Sequence, residues 1–372
     1  MKSKLFSPLK LRELTLPNRI VVSPMCQYSA QDGFANDWHL VHLGSRAVGG
    51  AGLVIVEAAG VLAEGRITPE DIGIWKDEHI GPLRRITRFI ETQGSRAGIQ
   101  LAHAGRKASA YRPWADKDGS IPAAEGGWET VGPSAISFDG TFRTPAALSI
   151  AGIAQRVQAF ADAALRAHEA GFKVVEIHAA HGYLLHEFLS PLSNQRSDQY
   201  GGALENRVRF LMEVVTAVRK VWPADLPLFV RVSATDWAEG GLTPDEIVAV
   251  SRLLRDAGVD LMDISSGGNI AAATIPSGPG YQTAFAARVR CESNIATGTV
   301  GMITNAMQAE HVLRTEQADL VLLGRELLRD PYWPLHAADE LRENVAWPPQ
   351  YARSAASSKT PLRENVDYSD LD

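Results

Sequence analysis

The stretch that decides the fold is Val174–Tyr183, which reads VVEIHAAHGY. Its first four residues are mostly β-branched and apolar, a composition typical of a buried strand. The strand ends near His178, and both His181 and Tyr183 follow within five residues. Two imidazoles can bind an anionic oxygen, and a phenol can donate a proton. The stretch therefore predicts a buried strand that presents reactive side chains at its carboxyl end.

The same arrangement recurs along the chain, where short apolar runs end in small polar or glycine residues. Most of these runs lack alternation of apolar and polar residues, which favours parallel strands buried on both faces. The eight runs are Arg19–Ser23, Leu53–Glu57, Ala97–Leu101, Val174–His178, Leu228–Val232, Leu261–Ser265, Ile295–Val300 and Leu320–Gly324.

Amphipathic helical patterns separate these runs. One predicted helix has an apolar face made of Ile153, Val157, Phe160, Ala164 and Leu165. Eight strand-then-helix units predict an α/β fold, the (β/α)8 TIM barrel. The alternative is a doubly wound sheet, which needs a glycine-rich turn after its first strand. The glycine cluster Gly49–Gly52 precedes a strand instead, so the barrel is favoured.

The chain divides into a barrel domain and a tail. We expect residues 1–345 to form a single barrel. Within it, Ser109–Pro145 is rich in Gly, Pro, Asp and Trp and follows the third strand, so a long loop excursion over the barrel is expected. Residues 346–372 contain WPPQYAR and end polar and acidic. They are expected to contact a neighbouring subunit, with poor order from about Ser354.

The composition argues against several classes of protein. The 372 residues carry a net charge of -6, which disfavours a nucleic-acid or anionic-membrane surface. Two cysteines, Cys26 and Cys291, are too few for a disulfide framework and favour a reducing compartment. No apolar run is long enough to span a bilayer. We therefore expect a cytoplasmic protein with neither a nucleic-acid nor a membrane partner.

In a barrel, the active site lies at the carboxyl ends of the strands. The predicted ends are rich in hydrogen-bonding side chains and poor in carboxylates, which disfavours glycosidase and metal-hydrolase chemistry. His39 and His42 have the spacing of a metal pair, but a third ligand is not evident, so no metal site is expected. The residues at these ends are Pro24–Cys26, Tyr28, Ala58–Ala59, Gln100, His103, His178, His181, Tyr183, Arg231, Ser265–Ser266, Gly301 and Gly324–Arg325.

Two polar residues inside predicted strands suggest a cofactor. Gln100 can donate and accept, and the guanidinium of Arg231 needs an anionic or electron-rich partner. Together they suit a ring with alternating N–H and C=O groups, such as the pyrimidine edge of a flavin. The alternative, that Arg231 pairs with a buried carboxylate such as Glu57, stays open. Gly301, expected to open a helix, and Gly324–Arg325 lie where such barrels often bind phosphate.

Six motifs, taken together, resemble the Old Yellow Enzyme family of ene-reductases, in the thermophilic-like class that carries cysteine near the flavin. The resemblance spans Leu5 to about Arg353 and implies an NAD(P)H-dependent flavin oxidoreductase. The motifs are PMCQY (Pro24–Tyr28), EAAG (Glu57–Gly60), QLAHAGR (Gln100–Arg106), HAAHGYL (His178–Leu184), FLSPLSNQRSDQYGG (Phe188–Gly202) and GRELLRDP (Gly324–Pro331).

The resemblance implies a bound FMN that is reduced by NADPH, or less often by NADH. FMN would then transfer hydride to the β-carbon of an activated alkene, an α,β-unsaturated carbonyl or nitro compound. His178 and His181 would bind the substrate oxygen, and Tyr183 would protonate the α-carbon as general acid. The residues implied around FMN are Ser23, Pro24, Met25, Cys26, Ala59, Gln100, Arg231, Gly301, Gly324 and Arg325.

Three further residues are implied to contact the substrate. Tyr28 adds a second phenol to the pocket. Cys26 stands where another branch of the family carries Thr, and its thiol is expected to tune the flavin potential, the alternative being a small buried apolar residue. The segment Gln350–Arg353 resembles the terminal Q-Y-x-R of the class, whose arginine enters a partner's pocket. We expect a homodimer or homotetramer that shares Arg353, the alternative being a tail packed on its own chain.

Two other functions stay open at this point. A phosphate-binding lyase or isomerase without flavin would use the same barrel end and the same histidines. A flavoprotein subunit that passes electrons onward is disfavoured, because two cysteines are too few for an iron–sulfur cluster. The colour of the purified protein separates the first of these from a flavoenzyme.

Overall fold

The computed structural model describes residues 2–355, 360–364, 366 and 368. Within them, eight parallel strands close into a barrel in which each strand pairs with the next along the chain. The prediction of a (β/α)8 barrel is therefore confirmed. The strands are β1 (Ile20–Val22), β2 (Leu53–Gly60), β3 (Arg96–Ala102), β4 (Val174–Ala179), β5 (Leu228–Ser233), β6 (Leu261–Ser265), β7 (Ala296–Thr299) and β8 (Leu320–Leu323).

Helices cover the outside of the barrel. In α3 the predicted apolar face buries Ile153, Phe160 and Ala164, but Leu165 is 48% exposed and lies outside that face. None of the described helices is long and apolar enough to cross a membrane. The helices are α1 (Asp37–Val48), α2 (Ile80–Thr92), α3 (Ile150–Glu169), α4 (Leu184–Leu189), α5 (Leu204–Arg207), α6 (Arg209–Val221), α7 (Pro244–Asp256), α8 (Thr283–Ser293), α9 (Ala306–Arg314), α10 (Arg325–Arg329) and α11 (Trp333–Glu340).

The barrel interior changes character along each strand. Alternate residues of a strand share one face, so the interior side chains recur every second residue. From bottom to top, the paired residues of β5 and β6 are Phe229 with Leu261, Arg231 with Asp263, and Ser233 with Ser265. The interior is therefore apolar at the amino ends of the strands, which we call the bottom, and polar at their carboxyl ends, the top.

A short hairpin closes the bottom of the barrel. Leu9–Leu11 pairs antiparallel with Leu14–Leu16. Leucines of the hairpin pack with Leu53, Phe229 and other apolar residues at the lower ends of the strands in one buried cluster. This end is sealed by hydrophobic contact, so ligands are expected to enter at the top.

The excursion that follows β3 contacts residues near the top of the barrel. The side chain of Arg106, just after β3, donates to the carbonyls of Ile136 and Ser137. The indole N–H of Trp128 donates to Glu64 O at 2.8 Å, which ties the excursion to the loop after β2. Trp128 therefore holds the excursion in place.

The segment after α11 folds back on its own barrel. Trp347 is buried. Its backbone N–H donates to Pro361 O, and its backbone carbonyl accepts from the backbone N–H of Arg363. In the 3-10 helix Pro349–Ser354, the hydroxyl of Tyr351 lies 3.1 Å from that of Tyr332. Part of the stretch expected to be poorly ordered is thus packed, and 356–359, 365, 367 and 369–372 lie outside the described residues.

Candidate active site

Three reactive side chains meet at the carboxyl end of β4. The rings of His178 and His181 are 5.2 Å apart and nearly perpendicular, and the ring of Tyr183 lies 5.0 Å from that of His178. The turn that brings them together is sharp, because His181 has a φ of +60° and Gly182 a φ of +74°. The sequence prediction that these three residues share one site is consistent with this placement.

Close backbone packing explains the glycines of this turn. A Cβ atom at Gly182 would lie 2.2 Å from Gly268 O, and a Cβ at Gly268 would lie 2.6 Å from the Cα of His181. The turns after β4 and β6 are therefore in direct backbone contact. Lys107 joins the same two turns, since its ammonium group donates to His181 O at 2.9 Å and to Gly268 O at 3.0 Å.

Sequence reasoning missed Lys107. It directly follows the QLAHAGR motif, which was the available signal. Its ammonium group also lies 4.9 Å from the ring centre of Tyr183 and 4.6 Å from that of Phe138, within the range of cation–π attraction. Burial lowers the pKa of Lys107 to about 8. At neutral pH the residue is therefore mainly a cation that holds the turn beside the phenol.

Both histidines of the site are neutral at physiological pH. Burial lowers the pKa of His178 well below 6.5, and the nearby Arg231 adds to the effect. Burial does the same for the pKa of His181. A neutral imidazole donates from one nitrogen only. For His178 that nitrogen is Nε2, because Nδ1 accepts from the backbone N–H of Ala180 at 3.3 Å.

The phenols and the thiol of the site stay protonated. Burial raises the pKa of Tyr183 well above 10 and also raises the pKa of Tyr28. Burial, together with the nearby carboxyl of Asp71, raises the pKa of Cys26 well above 9. Tyr28 packs edge-on against Trp114 of the excursion, with ring centres 5.6 Å apart. The site therefore offers proton donors and uncharged hydrogen-bonding groups.

A cavity of about 420 Å³ opens beside His181. Eight of the residues predicted for the site line it, and they come from six parts of the chain. They are Ser23, Met25, His181, Arg231, Ser265, Gly301, Gly324 and Arg325. Four other residues predicted to bind the cofactor do not belong to the lining, namely Pro24, Cys26, Ala59 and Gln100. Three residues predicted to act on the substrate, Tyr28, His178 and Tyr183, do not belong to it either, and His178 adjoins it through its ring contact with His181.

The expectation that Gly301 opens a helix is wrong. Gly301 has a φ of +129° and Met302 a φ of +51°, values that a right-handed helix does not allow. The next helix, α9, begins only at Ala306, where the side chain of Asn305 accepts from the N–H of Gln308. Gly301 instead lies in the turn after β7, at the edge of the cavity.

Arg231 pairs with a carboxylate other than Glu57. Its Nε lies 2.7 Å from Asp263 Oδ2, and its Nη2 donates to Ser23 Oγ at 2.9 Å. Glu57 lies 3.3 Å from His39 Nε2 and accepts from the N–H of Gln27. A bulge between Val56 and Ala58 shifts the pairing of β2 with β3 at Glu57. The alternative that Arg231 pairs with a buried carboxylate is therefore confirmed, with Asp263 rather than Glu57 as the partner.

The interior of the barrel is richer in carboxylates than the strand ends suggested. Glu176 accepts from Gln100 Nε2 at 2.8 Å, and Asp263 pairs with Arg231. Burial raises the pKa of Glu176 to about 8 and also raises that of Asp263. Glu176 lies two residues before His178, and Asp263 lies two residues before Ser265. Because alternate residues of a strand share one face, this spacing could have predicted both carboxyls inside the barrel.

Two further residues considered in the sequence analysis, His39 and Arg353, lie outside the cavity lining. His39 is buried against Glu57, and no group of three or more metal-ligating side chains occurs among the described residues. Arg353 is exposed on the tail, and within the described part of the chain it is not among the residues that line the cavity. Its predicted role would need a second copy of the chain.

Comparison with known proteins agrees with this architecture. Residues 4–344 match the NADH:flavin oxidoreductase / NADH oxidase family. The NADPH dehydrogenase of Geobacillus sp. (strain WCH70) is 50% identical over 355 residues, which cover 95% of this chain and 99% of that protein. That of Bacillus subtilis (strain 168) is 49% identical over 355 residues, with the same two shares.

Comparison with solved structures indicates the same family at lower sequence identity. Morphinone reductase superposes with a TM-score of 0.77 at 27% identity, over 98% of this chain and 97% of that one. The resemblance to the Old Yellow Enzyme family is thus confirmed. The chain belongs to the NADH:flavin oxidoreductase / NADH oxidase family, and it is an oxidoreductase built on an eight-stranded barrel.

Proposed function

We propose that the protein is an FMN-dependent ene-reductase that uses NADPH, or less readily NADH, to reduce activated alkenes. One observation carries the proposal: neutral His178 and His181 meet the protonated Tyr183, and His181 lines the open cavity. Two hydrogen-bond donors and one acid are what polarisation and protonation of an α,β-unsaturated carbonyl or nitro compound require. The names of the relatives, NADPH dehydrogenase and morphinone reductase, support the same class of reaction.

The residues that line the cavity fit FMN. Gly324 presents bare backbone, since among the described residues other than its chain neighbours the only atom within 4 Å of a Cβ placed there is Met25 Sδ at 3.6 Å. With Gly301 and the cation of Arg325, it leaves room and charge for a phosphate. Arg231 and Ser23, joined at the polar layer of the barrel, are placed to hydrogen-bond a ring system. When bound, FMN would supply hydride transfer between the nicotinamide and the alkene.

The side chains of the chain itself would handle the substrate oxygen and the proton. His178 is set to donate from Nε2, which would draw electron density toward the substrate oxygen and activate the β-carbon. Tyr183 would deliver its hydroxyl proton to the α-carbon, and burial keeps that proton in place until then. Tyr28 and Cys26 would form the neighbouring wall of the pocket.

The flavin content of the purified protein tests this function. Denaturation and chromatography should release about one FMN per chain, and NADPH without oxygen should bleach the visible flavin band. Addition of 2-cyclohexenone should then restore it. A protein that holds no flavin, even after reconstitution with FMN, would contradict the proposal and favour a lyase or isomerase. Restoration by electron-accepting proteins but not by any activated alkene would favour an electron-transfer subunit.

We also propose that the protein acts as a homodimer or homotetramer, in which Arg353 of one subunit completes the substrate pocket of another. The tail is anchored by Trp347 and Tyr351, yet Arg353 itself is exposed on the short 3-10 helix. A fixed base that carries an exposed cation is a geometry suited to reciprocal insertion. A cytoplasmic location belongs to the proposal too, supported by the unpaired cysteines Cys26 and Cys291.

A further inference from the structure

The imidazole of His181 is held from behind by a serine of β6. Ser265 Oγ lies 2.7 Å from His181 Nε2. The same hydroxyl lies 3.3 Å from Gln282 Oε1, so its single proton has two candidate acceptors. Which acceptor receives the proton decides the protonation of His181, because the direction of one hydrogen bond fixes which ring nitrogen carries hydrogen.

The distances around Gln282 favour His181 as the acceptor. Gln282 Nε2 donates to Val300 O at 2.6 Å, which fixes the orientation of the amide. Gln282 Oε1 already accepts from the hydroxyl of Ser266 at 2.6 Å. The contact from Ser265 to that oxygen is 0.6 Å longer than its contact to His181, since 3.3 Å minus 2.7 Å is 0.6 Å. The shorter contact favours a Ser265 hydroxyl that donates to His181 Nε2.

A neutral imidazole that accepts at Nε2 carries its proton at Nδ1. Nδ1 of His181 has no hydrogen-bond partner among the described residues, and His181 lines the cavity. We propose that Ser265 is a positioning residue that holds His181 in the Nδ1–H tautomer, so that this nitrogen can donate to the substrate oxygen. The proposal rests on the proposed function for the identity of that oxygen, but the tautomer itself does not depend on it.

In the opposite tautomer of His181, with the proton at Nε2, Nδ1 would be a hydrogen-bond acceptor instead of a donor. The Nδ1 lone pair would then face the substrate oxygen and repel it, and only His178 would remain as a donor. Loss of one preorganised donor to a developing oxyanion commonly lowers kcat about 10²–10³-fold. Loss of a group that only orients a histidine costs less, about 10–100-fold where the histidine is a metal ligand. We expect the smaller range for removal of Ser265.

The direct test is the tautomer of His181 in the flavin-loaded protein. Protein labelled with ¹⁵N-histidine would be measured by two-bond ¹H–¹⁵N correlation, and the His181→Gln variant would assign the signal. The wild type should show Nδ1–H. Ser265→Ala should shift His181 toward Nε2–H, whereas Ser265→Thr, which keeps the hydroxyl, should retain Nδ1–H. Nε2–H in the wild type, or an unchanged tautomer in Ser265→Ala, would overturn the inference.

Binding of p-hydroxybenzaldehyde gives a second readout. Its affinity for the oxidised enzyme should fall about 10–100-fold in Ser265→Ala and recover in Ser265→Thr. Ser293→Ala is the matched control, because it removes a buried hydroxyl that donates to Val248 O in another part of the barrel. It should leave the affinity unchanged.

An affinity unchanged in Ser265→Ala, despite a changed tautomer, would overturn the claim that Nδ1–H reaches the ligand. Absence of flavin in the protein would contradict the proposed function alone. The tautomer measurement on that flavin-free protein would still decide the role of Ser265.

Discussion

The two ends of the barrel are built from the same strands, yet they do different work. At the bottom, Phe229 and Leu261 pack with the leucines of the hairpin and exclude water. Two residues further along each strand, Arg231 and Asp263 form a buried ion pair, and the reactive layer follows. Residues only two positions apart on the same strand therefore differ in role: the lower ones stabilise the fold, and the upper ones belong to the candidate active site.

The two layers also differ in their energetic role. Burial of apolar side chains at the bottom stabilises the folded state in proportion to the area removed from water. The ion pair and the carboxyls of the upper layer gain less, because desolvation offsets much of their attraction. Stability should therefore depend mainly on the lower layer, and catalysis mainly on the upper one. Three substitutions probe this division, in order of decreasing expected effect.

Phe229→Ala should remove stability and leave the site intact. The ring is almost fully buried in the lower layer, and truncation of such a phenylalanine typically costs about 3–5 kcal/mol of unfolding free energy. Urea denaturation would measure the loss. Flavin bound per folded chain should remain that of the wild type. A loss of flavin from chains that are still folded would contradict the claim that the lower layer contributes to stability and not to the site.

Asp71→Asn should change the pH dependence of stability at the top of the barrel. Burial, reinforced by Glu57, raises the pKa of Asp71 to about 7. The folded state therefore keeps a proton that the unfolded state releases above its ordinary pKa of about 4, so wild-type stability falls as pH rises from 4 through 7. The amide does not titrate, and it can still accept from the N–H of Ile67.

Between pH 5 and pH 8, the wild type should lose about 2–3 kcal/mol of unfolding free energy relative to Asp71→Asn. Thermal or urea unfolding of both proteins across that range gives the difference. Parallel stability curves for the two proteins would show that Asp71 is ionised throughout. They would also remove the predicted contribution of Asp71 to the pH dependence of stability.

Arg353→Ala should have the smallest effect, and it tests a proposed contact between the two ends of neighbouring barrels. The tail starts at the bottom of one barrel and is proposed to act at the top of another. Loss of one charge-assisted hydrogen bond would raise the KM for the alkene about tenfold, with flavin content unchanged. Arg84→Ala, which removes an exposed arginine of α2, is the control. A monomer in sedimentation with full activity would refute the shared site.

The sequence was sufficient for the barrel and for part of the site. Apolar runs that end in His178 or Gly324 predicted both the strands and the end that carries the chemistry. Other features depend on contacts between distant residues. The bulge beside Glu57 and the pairing of Trp347 with the segment near Arg363 follow no local pattern. Lys107 was missed because its role lies in two backbone carbonyls that only the folded chain brings together.

The central claim is that the upper layer performs proton-coupled reduction of an alkene, with Tyr183 as the acid. Stopped-flow measurement of Tyr183→Phe, with reduction by NADPH and re-oxidation by 2-cyclohexenone followed separately, tests it most directly. We predict that re-oxidation by the enone slows by about 10²–10⁴-fold, the usual contribution of a positioned general acid, while reduction by NADPH stays close to that of the wild type. Equal slowing of both steps, or no slowing of re-oxidation, would contradict the account.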